Sequence, residues 1–203
     1  MYICYVIGAG AMPESIAPDE TDLVIAADGG LQTLKNKGIT PGLIIGDFDS
    51  LGYTPEGDNV TVLPRMKDDT DTAAALRIGV ARGYTCFCIY GGCGGREDHT
   101  LANIQLLHHL AREGLDGYLI GGGFIRTVVA RKTLQIAPKK EGYLSVFSLT
   151  DKAEGVTLQG LQYPLQDAAL TSDIPLGVSN AFTGVPVTVS VKEGALLVMW
   201  QDV

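Results

Sequence analysis

From the start of the chain to about Ile120, short apolar runs alternate with amphipathic helical stretches, and after about Gly123 that rhythm stops. Strands are predicted over 2–7, 22–27, 43–45, 60–63, 85–90 and 117–120. These runs are almost continuously apolar, as strands covered on both faces must be, and a parallel sheet follows. The clearest helix is predicted over 98–113, with Leu101, Ile104, Leu107 and Leu110 on one stripe and Gly114 placed to stop it. A second begins at Thr70 or Asp71, whose short polar side chains suit an N-cap, and runs through Ala73, Ala74, Ala75, Leu76 and Ile78 to Gly83.

The remainder reads as short β segments, over 126–130, 133–136, 144–148, 156–158, 185–191 and 195–200. Pro138, Gly142, Gly155, Pro175, Gly184 and Gly194 punctuate them. The expected organisation is an α/β domain over 1–122 followed by an all-β sandwich over 123–203. No internal repeat or low-complexity tract interrupts either part.

At 203 residues, 46% apolar and 19% charged, the chain has the composition of a soluble globular protein able to bury a full core. No apolar stretch approaches the roughly 20 residues of a membrane span, and Met1-Tyr2-Ile3-Cys4 lacks the basic start of a secretory signal, so a cytoplasmic location and no membrane partner are expected. The net charge of -8, with few and scattered cations, excludes a nucleic-acid surface. Any phosphate ligand is therefore small and arrives with a metal. Among the cysteines, Cys86 and Cys88 alternate on one strand and Cys4 lies on another, which reads as buried reduced thiols. With Cys93 they lack a fourth partner at zinc spacing, so zinc is not expected.

The chemistry gathers at strand ends. Gly46-Asp47-Phe48-Asp49-Ser50 sets two carboxylates two residues apart after Leu43-Ile44-Ile45, where open α/β proteins bind ligands and where hard oxygen donors suit a divalent cation. Lys67-Asp68-Asp69-Thr70-Asp71 follows another apolar run and opens a helix; Arg96-Glu97-Asp98-His99 follows a third run and the loop Gly91-Gly92-Cys93-Gly94-Gly95. Both lie at helix N-termini, where free N–H groups and the helix dipole favour phosphate. Asp28 ends a strand before Gly29-Gly30, where phosphate can approach the backbone.

Each motif has a blander reading. Asp47 and Asp49 suit any turn, Asp71 and Asp98 suit helix caps, and Arg96 can pair with Glu97 or Asp98 instead of phosphate. Three acidic turns in matching positions outweigh the first of these. His99 can contact phosphate or base or merely cap its helix, and His108 and His109 carry no assigned function. Gly8-Ala9-Gly10-Ala11-Met12-Pro13 has proline where a dinucleotide fingerprint needs its third glycine, which argues against a nicotinamide cofactor.

In order, Asp28-Gly29-Gly30, Gly46-Asp47-Phe48-Asp49-Ser50, Lys67-Asp68-Asp69-Thr70-Asp71 and Gly94-Gly95-Arg96-Glu97-Asp98-His99 with Ala102-Asn103 resemble the thiamine pyrophosphokinase family. Gly160-Leu161-Gln162-Tyr163-Pro164-Leu165 and Gly177-Val178-Ser179-Asn180 extend the likeness over nearly the whole chain. The resemblance implies a Rossmann-like domain followed by a β-sandwich, a homodimer, and transfer of the pyrophosphoryl group of ATP to the hydroxyl of thiamine, giving thiamine diphosphate and AMP. It further implies magnesium (Mg2+) held by Asp47, Asp49 and Asp71, with Asp28 and Asp98 close by, and ATP contacts from Asp28, Gly29, Gly30, Ser50, Lys67, Thr70, Arg96 and His99. Ser179 and Asn180 would join the thiamine pocket, and Asp71, Asp98 and Arg96 would be catalytic, with either Asp71 or Asp98 accepting the hydroxyl proton.

Two other functions fit part of this pattern. A metal-dependent phosphoesterase acting on a small nucleotide would use Asp47, Asp49, Asp98 and His99, but such sites usually recruit more histidines than the one found here. A non-catalytic nucleotide sensor would bind magnesium-ATP without turnover, and it needs fewer carboxylates than this chain displays.

Overall fold

A computed structural model describes residues 2–12, 16–49, 51–64, 66 and 68–202. The chain divides into two compact units, Met1–Leu106 with Leu115–Gly122 and Leu107–Gly114 with Gly123–Val203. This division departs from 1–122 and 123–203 in one segment, 107–114, whose buried Leu107, Leu110 and Ala111 go with the second unit.

In the first unit the strands are β1 (Ile3–Ile7), β2 (Leu23–Ala27), β3 (Leu43–Gly46), β4 (Val60–Val62), β5 (Cys86–Tyr90) and β6 (Asp116–Gly121). Every pairing among them is parallel, in the order β6-β5-β1-β2-β3-β4. All five residues of β2 and four of the five in β1 are buried, as the unbroken apolar runs require. The helices are α1 (Gly30–Asn36), α2 (Asp71–Ala81) and α3 (Glu97–Arg112), the last continuing into the second unit.

The strand order fixes where a ligand can enter. From β1 the chain builds outward through β2, β3 and β4, then returns to the other side of β1 with β5 and β6. That reversal opens a crevice beyond the carboxyl ends of β1 and β5. The turns leaving these strands touch there: Gly8 N–H donates to Tyr90 C=O at 2.8 Å and Gly10 N–H to Gly91 C=O at 2.9 Å. A side chain on Gly91, at φ +67°, would start 2.5 Å from the Gly8 carbonyl oxygen. Glycine is demanded by both backbone angle and space.

Gly30 closes the opposite flank of β1. A Cβ there would lie 1.9 Å from the Ile7 carbonyl oxygen, which is backbone and cannot turn aside. Gly30→Ala is expected to lower stability by about 3 kcal/mol, the upper end for an overpacked site. A urea midpoint unchanged from the parent chain would show that α1 can back away from β1.

The second unit is antiparallel. Four of its strands, antiparallel throughout, run in the order β12 (Gly177–Ala181), β9 (Tyr143–Ser148), β14 (Ala195–Gln201) and β7 (Phe124–Ala130). A separate four-stranded sheet orders β11 (Leu165–Thr171), β10 (Lys152–Gln159), β13 (Val187–Ser190) and β8 (Thr133–Ile136). Buried and more open residues alternate along β9, β10 and β13, so one face of each strand is covered. The protein is mixed α/β, with a large mixed sheet and a second, antiparallel sheet. Among the described residues no helix is long and apolar enough to cross a membrane.

Candidate active site

The acidic turn after β3 is shaped by its middle residue. Phe48 is 2% exposed and packs with Ile7, Val24, Leu31, Leu34 and Ile44, yet its backbone sits at φ +58°. A bulky residue in the left-handed region is uncommon, and burial of the ring holds it there. The anchored ring fixes the chain on both sides of it. Asp49 N–H donates to Asp47 Oδ1 at 3.2 Å, which tightens the turn further.

Asp28 joins this turn from the neighbouring strand. Its N–H donates to Ile45 C=O at 2.8 Å, and its own φ of +48° turns the chain off the end of β2. One oxygen of its carboxylate, Oδ1, is shut off from solvent. Ligand oxygens of Asp28, Asp47 and Asp49 all lie within 4.8 Å of one another. Three carboxylates so close repel strongly unless a cation sits among them, and an all-oxygen donor set suits a hard divalent ion. The residues present therefore fit a metal such as magnesium.

The carboxylates that come together are those of Asp47, Asp49 and Asp28, and Asp71 is outside this trio. Adjacency of strands is the reason: β2 and β3 pair directly, with Ala27 opposite Ile45, so the residues that follow them meet.

Asp71 lies instead in a cavity of about 430 Å3 in the first unit, lined by Gly8, Gly10, Asp28, Thr70, Asp71, Gly91, Gly92, Gly95, Arg96, His99 and Asn103 among others. Two glycine-bearing turns and the start of α2 thus face one space that also takes in Asp28 of the acidic cluster. Thr70 is the N-cap of α2, its hydroxyl accepting from Ala73 N–H at 3.1 Å, and Asp71 is the first helical residue. The cap therefore does not depend on Asp71. Asn103, 4% exposed, donates through Nδ2 to Gly92 C=O at 2.7 Å and pins the glycine loop.

Arg96 and Asp98 meet each other. Arg96 donates from Nε to Asp98 Oδ1 at 3.1 Å and from Nη2 to Asp98 Oδ2 at 2.5 Å, a two-pronged pair at the open end of the cavity. The Arg96 hydrogen bonds hold the Asp98 carboxyl below the usual carboxylate range, and the bond from His99 N–H acts in the same direction. The same pair raises Arg96. Asp98 is thereby an ionised partner that orients Arg96 and a poor acceptor of a further proton.

The glycines after β2 are used for packing. Gly29 is the N-cap of α1, and Gly30 sits against β1. Neither lines the cavity with Asp28. Ser50 and Lys67, expected at ATP, lie outside the described residues.

In the second unit the Asn180 amide clamps the backbone of Tyr163, accepting from its N–H at 2.9 Å and donating to its C=O at 2.6 Å. Asn180 is 5% exposed, so its amide serves mainly to hold the 161–165 segment. Ser179 stands beside it at φ +58°, where the pairing of β12 with β9 shifts register, and its N–H donates to Ser145 Oγ at 3.0 Å. A bulge of this kind re-aims a side chain out of the ladder.

Sequence reasoning passed over Gly8 and Gly10 as part of the phosphate cavity, having weighed them only as a dinucleotide fingerprint. The usable signal was their position straight after the first strand, shared with the other glycine-bearing turns.

An open α/β unit with a carboxylate cluster and a glycine-lined cleft at its switch point has the features of a protein that handles phosphate compounds. The chain matches the families described as thiamin pyrophosphokinase, catalytic domain, over residues 17–119 and thiamin pyrophosphokinase, vitamin B1 binding domain, over residues 131–196. It belongs to the thiamin pyrophosphokinase family. It is 28% identical to the thiamine pyrophosphokinase of Bacillus subtilis (strain 168), over 92% of this chain and 94% of that protein. The crystal structure of thiamin pyrophosphokinase from Geobacillus thermodenitrificans superposes with a TM-score of 0.86 at 26% identity, covering 99% of this chain and 98% of that one. The yeast enzyme shares the fold at 15% identity and a TM-score of 0.73, over 98% of this chain and 86% of that one. These comparisons lend no support to the phosphoesterase alternative.

Proposed function

We propose that the protein is a thiamine diphosphokinase, forming a bond from the hydroxyl oxygen of thiamine to the β-phosphorus of ATP while the α–β bridging bond breaks and AMP leaves. The observation that carries this reading is the Asp28, Asp47 and Asp49 cluster beside a glycine-lined phosphate cavity, in a chain that belongs to this family. Magnesium, when bound by Asp28, Asp47 and Asp49, would neutralise phosphate charge and polarise the reacting phosphorus.

The chain's own groups supply the rest. The glycine turns, lacking side chains, let the phosphate chain approach the backbone closely. Arg96 offers Nη1 to an oxygen of the transferred group while Asp98 holds its other edge. Asp71, at the α2 N-terminus and clear of the Arg96 pair, takes the hydroxyl proton. The chain's net charge of -8 favours approach of the thiazolium cation.

The reading includes thiamine bound by the second unit near Ser179 and the segment that Asn180 holds, with the two antiparallel sheets forming a sandwich. It also includes a homodimer and a cytoplasmic location. Support for the dimer comes from β12, which is the edge strand of its sheet and carries exposed Val178 just after exposed Ile174 and Leu176.

The test is AMP formation from magnesium-ATP by purified protein with and without thiamine, with thiamine diphosphate assayed alongside. Stoichiometric AMP and thiamine diphosphate are expected only when thiamine is present. Phosphate release without thiamine would replace this reading with a hydrolase, and binding without turnover would replace it with a sensor.

A further inference from the structure

The second unit contains a cavity of about 480 Å3 that none of the chemistry above uses. The end of α3 contributes His108 and Arg112 to it, the β7–β8 turn contributes Arg131, and the β13–β14 turn contributes Glu193 and Gly194. Its size suits a small ligand. In a chain with 15 Lys and Arg against 23 Asp and Glu, two guanidiniums on one concavity form a local excess of cation. Among the described residues neither Arg112 nor Arg131 takes part in an ion pair.

The two arginines do not have equal claims to a structural explanation. Arg112 lies in the last turn of α3, where any cation is favoured by the helix dipole. Arg131 has no such reason. Its backbone is at φ +51°, a conformation that L side chains rarely adopt, and in the neighbouring turn Gly194 meets a similar demand with glycine at φ +85°. A strained turn that nonetheless carries arginine, on the lining of a cavity with a second arginine, points to a ligand for the pair.

We propose that this cavity binds a small phosphomonoester, with its phosphate between Arg112 and Arg131 and a hydroxyl or amino group toward Glu193. Planar guanidinium forks match the oxygens of a phosphate, and two of them neutralise its dianion. Glu193 and the carbonyl end of α3 both oppose a bare polyanion. The ligand therefore pairs its phosphate with a hydrogen-bond donor. Burial, then the charge of Arg112, holds His108 below the usual imidazole range, so at neutral pH it is an uncharged group on the wall.

The experiment is isothermal titration with inorganic phosphate and with glycerol 3-phosphate, paired with thermal melts, on the unaltered chain, Arg131→Gly, Arg112→Gln and Arg96→Gln. Arg131→Gly removes the strain together with the guanidinium, so it should melt higher than the parent without ligand yet bind glycerol 3-phosphate at least tenfold more weakly. Arg112→Gln should weaken binding similarly, and Arg96→Gln, altered only in the first unit, should retain it. Glycerol 3-phosphate should bind more tightly than inorganic phosphate, because only it offers hydroxyls to Glu193.

Equal binding by the parent, Arg131→Gly and Arg112→Gln would overturn the proposal, as would loss of all binding in Arg96→Gln, which would place the phosphate in the first unit's cavity. Since the readout is binding and not turnover, its failure leaves the assigned reaction to its own test.

Discussion

Asp49→Asn is expected to reduce kcat/KM by at least about a hundredfold while the chain remains folded. An amide keeps the size and one oxygen of the carboxylate but loses the charge, and removing one well-placed electrostatic contact at a phosphate-transfer site costs roughly 2.7–4 kcal/mol of transition-state stabilisation. Folding need not suffer. With ligand oxygens of Asp28, Asp47 and Asp49 within 4.8 Å, the metal-free cluster is self-repelling, so neutralising one member leaves the metal-free melting temperature unchanged or slightly higher.

Metal binding separates this cluster from Asp71. Titration with Mn2+ should show weakened affinity in Asp49→Asn and near-parental affinity in Asp71→Asn. Both should lose turnover, the first for want of the ion and the second for want of a proton acceptor. Asp71→Asn should also fold normally, because the α2 cap is the Thr70 hydroxyl. Near-normal activity in a folded Asp49→Asn protein would remove the cluster from the mechanism. Equal loss of metal affinity in the two variants would return Asp71 to the ligand set.

The grouping of Asp28 with Asp47 and Asp49 shows where reading the sequence stops. The inner strands of the first unit were legible because burial on both faces leaves an unbroken apolar run, as in Leu23-Val24-Ile25-Ala26-Ala27. The carboxylates at strand ends were legible for the same reason, since the runs locate the ends. Which ends meet depends on strand order, and no local pattern encodes that β2 pairs with β3 while β4 lies at the sheet's edge. Helix α1 went unread because its seven residues are too few to display a period, with only Gly30, Leu31 and Leu34 buried.

The second unit shows a different loss. Strand β12 is Gly177-Val178-Ser179-Asn180-Ala181, in which the expected alternation is reversed: Val178 is exposed and Asn180 is buried. The register shift at Ser179 and the hydrogen bonds from Asn180 to Tyr163 explain the inversion, and both are long-range facts. Arg96 and Asp98 lie in one local motif, so their pairing was among the readings open from the sequence alone.

Phe48 joins the fold to the site, and Phe48→Ala is expected to destabilise the protein by about 3–5 kcal/mol, the range for truncating a buried phenylalanine. Burial and backbone strain act against each other at this position. Holding an L-residue at φ +58° costs about 1–2 kcal/mol, and the packing of the ring exceeds that, which is why the turn persists. Alanine keeps the strain, since its Cβ suffers the same contact, and gives up the packing. Glycine gives up the packing and the strain together. Phe48→Gly should therefore be more stable than Phe48→Ala by about 1 kcal/mol, the reverse of the order found where φ is negative. Urea midpoints of the three chains give this order directly. Mn2+ affinity should fall in both variants, because Asp47 and Asp49 flank the anchor and lose their fixed spacing with it. A stability loss below 1 kcal/mol with unchanged Mn2+ affinity would show that the turn holds its shape without the ring, and the metal site would then owe its geometry to the Asp49 to Asp47 hydrogen bond and the tie from Asp28 to Ile45.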